Sequence, residues 1–292
     1  ESIMTDNLSP GAKFRQALTA ASPLQIIGTI NAYCALMAEQ QGVAAIYLSG
    51  AGCANASHGL PDLGVTTLAD VLVDARRITR VCGLPLLVDI DTGWDDVGVT
   101  VASMIEAGVA AVHLEDQVAL KRCGHRPNKQ CVSIEEMQAR IKAGVAAKSD
   151  PDFVLIARTD AAAREGVTAA IERAQAYVAA GADAIFAEAL TDLDQYQQFC
   201  TAVTVPVLAN ITEFGQTPLY TCEELAKCGV AMALYPLTAF RVMNKACETV
   251  YQTLLRDGTQ QSLLEDMQTR ETLYEYLNYY AFEQNQDEKL QS

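Results

Sequence analysis

Positive charge is scarce in this sequence of 292 residues, which has 21 lysines and arginines against 36 aspartates and glutamates and a net charge of −15 with histidine neutral. This balance excludes a partner bound through its phosphate backbone, because such binding depends on neutralisation by lysine and arginine. We therefore expect no nucleic-acid partner. A small anionic ligand is compatible with this charge, since a local cluster of basic side chains can outweigh the overall field.

Long hydrophobic runs are also lacking. No apolar run reaches the roughly 18–20 residues that a membrane-spanning helix needs, so no membrane partner is expected. The first residues lack the charged and apolar regions of a secretory signal, and we interpret Met4 as the natural start and the three residues before it as a remnant of expression.

Cysteine pairs with the spacing of a metal site are absent as well. The nine cysteines are scattered, none forms a CxxC pair, and Cys222 and Cys228 have no neighbours of the kind that complete a zinc site. We therefore expect free and mostly buried thiols in a reducing cytoplasm.

What the sequence does contain is a repeat in which a glycine precedes a short apolar run. The glycines are Gly42, Gly108, Gly181 and Gly229. Each stands where the end of a helix requires a left-handed backbone, so a strand is predicted after each one. Four further apolar runs lie at 24–30, 84–91, 153–160 and 205–212. Runs that are apolar throughout indicate parallel strands covered on both faces.

Helical segments separate these runs, and eight strands alternating with helices predict an α/β fold of the (β/α)8 TIM-barrel type. Helices are predicted at 67–81, 134–147, 168–180, 238–256 and 261–281. A doubly wound sheet is the alternative, but no glycine-rich phosphate turn follows the first apolar run. We expect one domain over residues 1–292, with the barrel at about 20–240 and a C-terminal helical extension at about 241–285. The extension exceeds what a barrel needs, so we expect it to pack against another subunit.

Polar side chains stand at the ends of the predicted strands, where a TIM barrel has its active site. Asp89 and Asp91 are two positions apart, so both side chains leave the strand on the same face. With no cysteine or histidine pair nearby, they favour a hard divalent cation, Mg²⁺ or Mn²⁺. Glu115 and His113 could hold the waters that Mg²⁺ retains. The alternative is that one aspartate caps the next helix and the other pairs with arginine.

The segment 121–126 places four basic or potentially basic side chains around Cys123. Positive neighbours favour the thiolate, so this thiol is expected to exchange protons near neutral pH, and Gly124 would let the backbone approach a ligand closely. A solvated basic loop with an incidental cysteine is the alternative.

The two longest loops, at about 51–66 and 117–133, are predicted to be lids. Asp62 is a possible acid or base in the first, which its glycines favour as a mobile flap. A loop without such a role is the alternative.

Together these residues resemble the isocitrate lyase/phosphoenolpyruvate mutase superfamily. The resemblance runs from about residue 9 to residue 280 and rests on the motifs YLSG (47–50), LPDLG (60–64), DID (89–91), HLEDQ (113–117), KRCGHRPNK (121–129), ARTDA (157–161), NITEFG (210–215), ALYPL (233–237) and MQTR (267–270). KRCGH is specific for the lyase branch, and NITEFG without large insertions favours its methylisocitrate subgroup.

The resemblance implies a lyase of the methylcitrate cycle in propionate catabolism, which cleaves a carbon–carbon bond of a tricarboxylate and gives pyruvate and succinate. It implies Mg²⁺ on Asp89 and Asp91 with His113 and Glu115 nearby, and a homotetramer whose C-terminal helices exchange between subunits. The implied catalytic residues are Cys123, as proton donor, Asp62 and His125. The implied substrate-binding residues are Ser49, Gly50, Ala51, Cys123, Gly124, Arg158, Glu188, Asn210, Ile211, Thr212, Arg241 and Arg270.

Three departures from the superfamily pattern affect substrate fit. The segment 92–98 is a few residues shorter than usual, and Ala51 and Ala187 stand where the family has glycine and proline. Isocitrate lyase and oxaloacetate hydrolase activities are therefore alternatives, as is a barrel that binds a dicarboxylate without turnover. Distinguishing a methyl group from hydrogen is worth only about 1–3 kcal/mol, so Phe186, Leu234 or Thr212 could decide the substrate.

Overall fold

The computed structural model describes residues 8–118 and 130–291. Within these residues, eight parallel strands close into a barrel in which each strand pairs with the next and the last pairs with the first. The strands are β1 (Leu24–Gly28), β2 (Ala45–Leu48), β3 (Leu86–Asp89), β4 (Ala111–Glu115), β5 (Val154–Thr159), β6 (Ala184–Ala187), β7 (Val207–Asn210) and β8 (Met232–Tyr235). Each lies within a predicted apolar run, and the predicted (β/α)8 barrel is confirmed.

Helices connect the strands and form the outer layer. They are α1 (Pro10–Ala20), α2 (Ala32–Gln40), α3 (Gly50–Gly52), α4 (Leu68–Thr79), α5 (Val97–Glu106), α6 (Ile134–Ala146), α7 (Ala162–Glu165), α8 (Val167–Ala179), α9 (Leu193–Ala202), α10 (Cys222–Lys227), α11 (Thr238–Asp257), α12 (Arg270–Leu277) and α13 (Tyr279–Gln291), with a π turn at Cys53–Ser57 and a 3-10 turn at Gln261–Asp266. The helices predicted at 67–81, 134–147 and 168–180 correspond to α4, α6 and α8. A capping box between Thr67 and Asp70 begins the first of them.

The glycine repeat has the conformation predicted for it. Gly42, Gly108, Gly181 and Gly229 have φ of +80°, +81°, +111° and +85°. Each follows the end of a helix and precedes a strand. A side chain at these positions would strain the backbone, which is why the repeat uses glycine.

Side chains alternate along each strand between the barrel interior and the layer beneath the helices. The interior cluster includes Leu24, Ile26, Leu87, Ile156, Phe186, Leu208, Met232 and Leu234. Phe14 of α1 is fully buried in the same cluster, and Arg15 donates to Asp183 just before β6 at 3.0 Å, so α1 closes the N-terminal end of the barrel. Apolar side chains thus fill the barrel interior at the N-terminal end of the strands. The inward-facing polar side chains lie at the C-terminal end.

The first and last strands meet where only glycine fits. A Cβ atom on Gly28 would lie 1.9 Å from the carbonyl oxygen of Pro236. This clearance is far below van der Waals contact, so the seam between β1 and β8 requires a residue without a side chain at this position.

The helix predicted at 238–256 corresponds to α11, and the described C-terminal helices continue to the end of α13 at Gln291. The single helix predicted at 261–281 is wrong: a 3-10 turn, α12 and α13 replace it. The chain breaks at Asn278, whose φ is +50°, a left-handed conformation that asparagine tolerates better than most residues.

The outer face of β1 and β8 is not covered by a helix of the described chain. Gln25 is exposed and Ile27 is half-buried, and both line a groove of about 670 Å³ with Met37 of α2 and Val242 of α11. Most of α11 is exposed, including Leu255 at 89%. Although α11 has 20 residues, no helix in the described part of the chain combines the length and apolarity needed to cross a membrane.

Candidate active site

Three carboxylates meet at the C-terminal end of the barrel. Asp89 ends β3, Glu115 ends β4, and Asp91 lies in the turn after β3. All three are buried, and one oxygen of each lies within 4.8 Å of the others. Glu115 was predicted to hold only waters of a metal ion, but its carboxylate lies as close as those of the two aspartates. The capping alternative is wrong, because Asp96 caps the next helix.

Backbone groups hold Asp89 in place. Its Oδ2 atom accepts a hydrogen bond from the Gly50 amide at 3.2 Å, and its Oδ1 atom accepts one from the Asp91 amide at 2.9 Å. A Cβ atom on Gly50 would lie 2.8 Å from Asp89 Oδ2 and 3.2 Å from Asp91 Oδ1. Glycine at this position therefore keeps open the space beside both carboxylates.

His113 lies behind Asp89 in the barrel interior. Its Nε2 atom is 2.8 Å from the Tyr47 hydroxyl and its Nδ1 atom is 3.7 Å from Asp89 Oδ1. The imidazole ring stacks on Tyr47 and meets the edge of Phe186, with centroid distances of 5.7 Å and 5.1 Å. His113 therefore lies beside the carboxylate cluster, in contact with one of its members.

Arg158 links the cluster to the neighbouring strands. Its guanidinium binds Asp160 through two hydrogen bonds of 3.0 Å and lies 3.3 Å from both Glu115 and Glu188. It also lies over the Phe186 ring, 5.1 Å from the centroid. Burial alone would lower the pKa of Arg158, but the three carboxylates raise it well above its ordinary value, so the side chain stays charged.

Buried carboxyl groups are concentrated in this part of the barrel. Glu115, Asp160 and Glu188 contact the Arg158 guanidinium, and Asp89 and Asp91 lie beside Glu115. Buried charges need partners of opposite sign. Carboxylate oxygens in a buried cluster, with Gly50 keeping the space beside them open, fit a hard divalent cation.

Asn210 and Glu188 form the next part of the site. The Asn210 amide donates to both oxygens of Glu188, at 3.4 Å and 3.3 Å. Its own oxygen is buried and has no hydrogen-bond partner among the described residues, which leaves an acceptor available to a ligand. Ile211 is buried, and its amide donates to the Leu234 carbonyl, while Thr212 is half-buried.

The loop predicted to be a flap is helical in its first half. Ser49 begins α3, and its hydroxyl accepts from the Gly52 amide at 3.2 Å. The π turn that follows is anchored at Asp74, which accepts from the Ser57 hydroxyl at 2.6 Å, and it buries Cys53. Small residues at 50–54 favour this packing, so the first half of the loop predicted at about 51–66 consists of helical turns.

The remaining predicted residues of this segment have different environments. Ala51 is half-buried, and so is Asp62, which lies in the part of the segment outside the helical turns. The structure places Ala51 next to Gly50, and Asp62 between the π turn and α4.

The short segment 92–98 is joined to the end of the same loop. The indole of Trp94 donates to the Thr66 carbonyl at 2.8 Å, and the Thr100 hydroxyl donates to the Gly93 carbonyl at 2.9 Å. Trp94 and Asp91 both have left-handed backbones, with φ of +51° and +50°. The shortened turn is therefore held firmly beside the carboxylate cluster rather than removing any part of it.

The two other predicted arginines lie on the C-terminal helices. Arg241 in α11 is 3.4 Å from Glu213 and lies over the Phe214 ring, so it faces the loop that follows β7. Arg270 begins α12 and is exposed, and its side chain has no hydrogen bond or ion pair to another described residue. The structure of a single chain brings the first toward the strand ends and does not bring the second to the carboxylate cluster.

Cys123, Gly124 and His125 lie outside the described residues. The chain on either side is described: Val118 donates to the Gln130 carbonyl, and Val132 donates to the Asp116 carbonyl. The described residues on either side of this segment therefore pair with each other just after β4.

Asp160 and Tyr47 contact predicted site residues but were not predicted among them. Asp160 holds Arg158, and Tyr47 holds His113. Each stands two positions from a predicted residue at the end of the same strand: Asp160 from Arg158, and Tyr47 from Ser49. The alternation that singled out Asp89 and Asp91 was therefore a signal that could have found both.

The fold and the site define a class: TIM-barrel enzymes that hold a divalent cation through carboxylates at the C-terminal ends of the strands. A family model described as phosphoenolpyruvate phosphomutase matches residues 14–255. The chain belongs to this family, and with it to the isocitrate lyase/phosphoenolpyruvate mutase superfamily.

Comparison with individual proteins shows which members of the superfamily this chain is similar to. A 2-methylisocitrate lyase of Escherichia coli strain K12 is 62% identical over 283 residues, which cover 96% of this chain and 96% of the relative. Another, of Vibrio cholerae serotype O1, is 61% identical over 291 residues, which cover 97% and 94%. The crystal structure of a 2,3-dimethylmalate lyase matches with a TM-score of 0.88 at 31% identity and covers 96% of both chains.

The clearance at Gly50 predicts that Gly50→Ala weakens divalent-cation binding about 10- to 100-fold, because the new methyl group must displace Asp89 and Asp91. Titration with Mn²⁺, followed by calorimetry, measures the effect. Gly52→Ala is the control, since its Cβ would meet nothing closer than a Leu237 methyl at 3.3 Å. Equal affinities for Gly50→Ala and the unmodified protein would contradict the placement of the cation.

Proposed function

We propose that this chain is a carbon–carbon lyase that cleaves 2-methylisocitrate to pyruvate and succinate. The observation that carries the proposal is the buried cluster of Asp89, Asp91 and Glu115 beside the charged Arg158. A site that combines a cation-binding cluster with a fixed guanidinium suits a substrate that has several carboxylates and a hydroxyl group. The 2-methylisocitrate lyases that are 61–62% identical to the chain support this substrate.

Asp89, Asp91 and Glu115 would hold the cation, which we propose to be Mg²⁺, with Mn²⁺ as an alternative. When bound, the ion supplies positive charge that lowers the pKa of the substrate's 2-hydroxyl group and offsets negative charge on that oxygen. Gly50 and His113 would keep Asp89 oriented toward it, since both lie against this carboxylate.

The remaining site residues would bind the substrate's carboxylates. We assign one carboxylate to the hydroxyl and backbone donors of Ser49, Gly50 and Ala51. Arg158, Glu188, Asn210, Ile211 and Thr212 would line the opposite side, with Arg241 and Arg270 completing the charge balance. A guanidinium matches a carboxylate with two parallel hydrogen bonds, which fits the use of arginine for a substrate carrying three negative charges.

The reaction breaks the bond between the carbon that carries the 2-hydroxyl group and the adjacent carbon. The hydroxyl proton leaves to a base, and the oxygen becomes the carbonyl of pyruvate. The electrons of the broken bond pass to the succinate half as an enediolate, and the Cys123 thiol would donate the proton that completes succinate. Asp62 and His125 are the further residues that we propose for proton transfer.

The first experiment compares pyruvate release from 2-methylisocitrate with glyoxylate release from isocitrate, each with Mg²⁺ and with EDTA. We expect turnover that EDTA abolishes, and kcat/KM about 10- to 200-fold higher for 2-methylisocitrate, the range that one methyl group commands. Preference for isocitrate would contradict the substrate while keeping the reaction class. Turnover of neither substrate would contradict the proposal as a whole.

Substitution of Cys123 tests the proton donor. Cys123→Ser should retain cation and substrate binding but lose at least about 100-fold in kcat, because the hydroxyl group is a far weaker acid than the thiol. Cys247→Ser, at an exposed position on α11, is the matched control and should leave kcat unchanged. Near-normal turnover by Cys123→Ser would exclude this residue as the donor.

We also propose that the chain forms a homotetramer whose C-terminal helices exchange between subunits. The groove on the outer face of β1 and β8 supports this, since no helix among the described residues fills it. So do apolar side chains exposed on the C-terminal helices, among them Tyr251, Leu255 and Phe282. An exchanged helix would cover the groove of one subunit with the apolar face of another.

Truncation after residue 255 tests the exchange. Without α12 and α13, we expect dissociated or aggregated protein, because the surfaces that these helices cover in the assembly become exposed. Light scattering coupled to size-exclusion chromatography measures the mass of the truncated and full-length chains. A truncated chain that stays tetrameric would contradict the exchange.

We place the protein in the cytoplasm. The eight cysteines among the described residues all carry free thiols, which persist in a reducing compartment. Three of them are buried, four are half-buried and Cys247 is exposed, so the expectation of mostly buried thiols is wrong for this part of the chain.

A further inference from the structure

We propose that Tyr177 and Arg173, on α8, are positioning residues that hold Arg158 in its working orientation through Asp116 and Asp160. Neither has a contact with the carboxylate cluster among the described residues. The inference rests on the proposed function, since it assigns a part in that reaction to side chains outside the site.

A continuous set of hydrogen bonds connects α8 to Arg158. The Tyr177 hydroxyl donates to Asp116 Oδ2 at 2.8 Å, and Asp116 Oδ1 accepts from the Asp160 amide at 2.9 Å. The Asp160 carboxylate in turn binds the Arg158 guanidinium through two bonds of 3.0 Å. One oxygen of Asp116 thus holds the end of β5, and the other is held by α8.

Arg173 anchors the outer end of this set. Its Nη1 atom donates to the Tyr177 hydroxyl at 3.2 Å and to the Val132 carbonyl at 2.8 Å, and it lies 3.8 Å from Asp116 Oδ2. Its other nitrogens bind Glu165, at 3.1 Å and 3.3 Å. Because Arg173 only donates, the Tyr177 hydroxyl must accept from it and direct its own proton to Asp116.

The position of this network is hard to explain by stability alone. Asp116, Tyr177 and Asp160 are almost completely buried, and two of them are carboxylates joined through one amide. Buried ionic groups contribute little net stability compared with apolar packing, and their best supported use is to define geometry. In this network, Asp116 fixes the backbone of Asp160 through its amide. The backbone position in turn directs both oxygens of the Asp160 carboxylate toward Arg158. An error of about 1 Å in such a group can cost 100-fold in rate.

The test is a double-mutant cycle on kcat and KM for 2-methylisocitrate cleavage. Tyr177→Phe removes the bridging hydroxyl and little else. We expect it to lower kcat/KM about 10-fold in the unmodified chain, at the low end for groups that orient site residues. In an Arg158→Lys background, which lacks the guanidinium being positioned, the further loss should be under about 2-fold, because the two substitutions act through the same contact.

Thr79→Val is the matched control. It removes a hydroxyl that donates to the Ala107 carbonyl at 2.6 Å, between outer helices on another side of the barrel. We expect kcat/KM to stay within about 2-fold of the unmodified chain even where its Tm falls as far as that of Tyr177→Phe. A structural role alone for Tyr177 would instead make the activities of the two variants follow their Tm values.

Hydrogen exchange separates failure of this inference from failure of the proposed function. The Asp160 amide donates to Asp116, so its exchange should be about 10-fold faster in Tyr177→Phe and unchanged in Thr79→Val. This measurement, by mass spectrometry on peptides ending on either side of residue 160, requires no substrate. The inference would be overturned if Tyr177→Phe left exchange of the Asp160 amide unchanged. It would also be overturned if Tyr177→Phe lowered kcat/KM as much in the Arg158→Lys background as in the unmodified chain. An inactive unmodified chain with faster exchange in the variant would overturn only the reaction.

Discussion

The concentration of buried carboxyl groups around Arg158 is the constraint on which the site depends. Carboxylates buried close together are costly unless positive charge and hydrogen-bond donors lie beside them. The structure meets this constraint by geometry: backbone amides hold Asp89, Asp160 holds the guanidinium, and Asp89, Asp91 and Glu115 converge where a divalent cation fits. Apolar side chains fill the barrel below this level, so the charge is confined to the C-terminal end of the strands. The arginine and the carboxylate cluster are therefore parts of one electrostatic arrangement.

The barrel and much of the site could be predicted because the sequence contains two regular patterns. One is the repeat of a glycine followed by an apolar run, and the other is the alternation of side chains along a strand. Glycines such as Gly108 mark helix ends where a left-handed backbone is required, and the apolar runs that follow them mark strands buried on both faces. Alternation along a strand then separates Asp89 from its apolar neighbours, and barrel topology brings it to Glu115 from the adjacent strand. Local pattern and global topology agree here, which is why the barrel was predicted correctly.

Other features depend on contacts that no local pattern contains. The glycine-rich segment after β2 resembles a flexible loop, yet Asp74, on the helix after it, anchors it as helical turns. The break at Asn278 interrupts a segment that has the composition of one long helix. The partnership of Tyr177 with Asp116 joins residues 61 positions apart, and each alone looks like an ordinary core tyrosine or strand-end acid. Such pairs become visible only once the barrel sets the distances between strands and helices.

The seam closed by Gly28 has a consequence for synthesis of the chain. β1 pairs with β8 through partners such as Leu24 and Met232, so the strand made first by the ribosome waits for the strand made last. During that interval β1 has a free edge, a feature that invites pairing with other chains. Its outward Gln25 interrupts the apolar character of that edge. Circular closure thus orders the folding of this protein in time: the barrel becomes complete only when nearly the whole chain has left the ribosome.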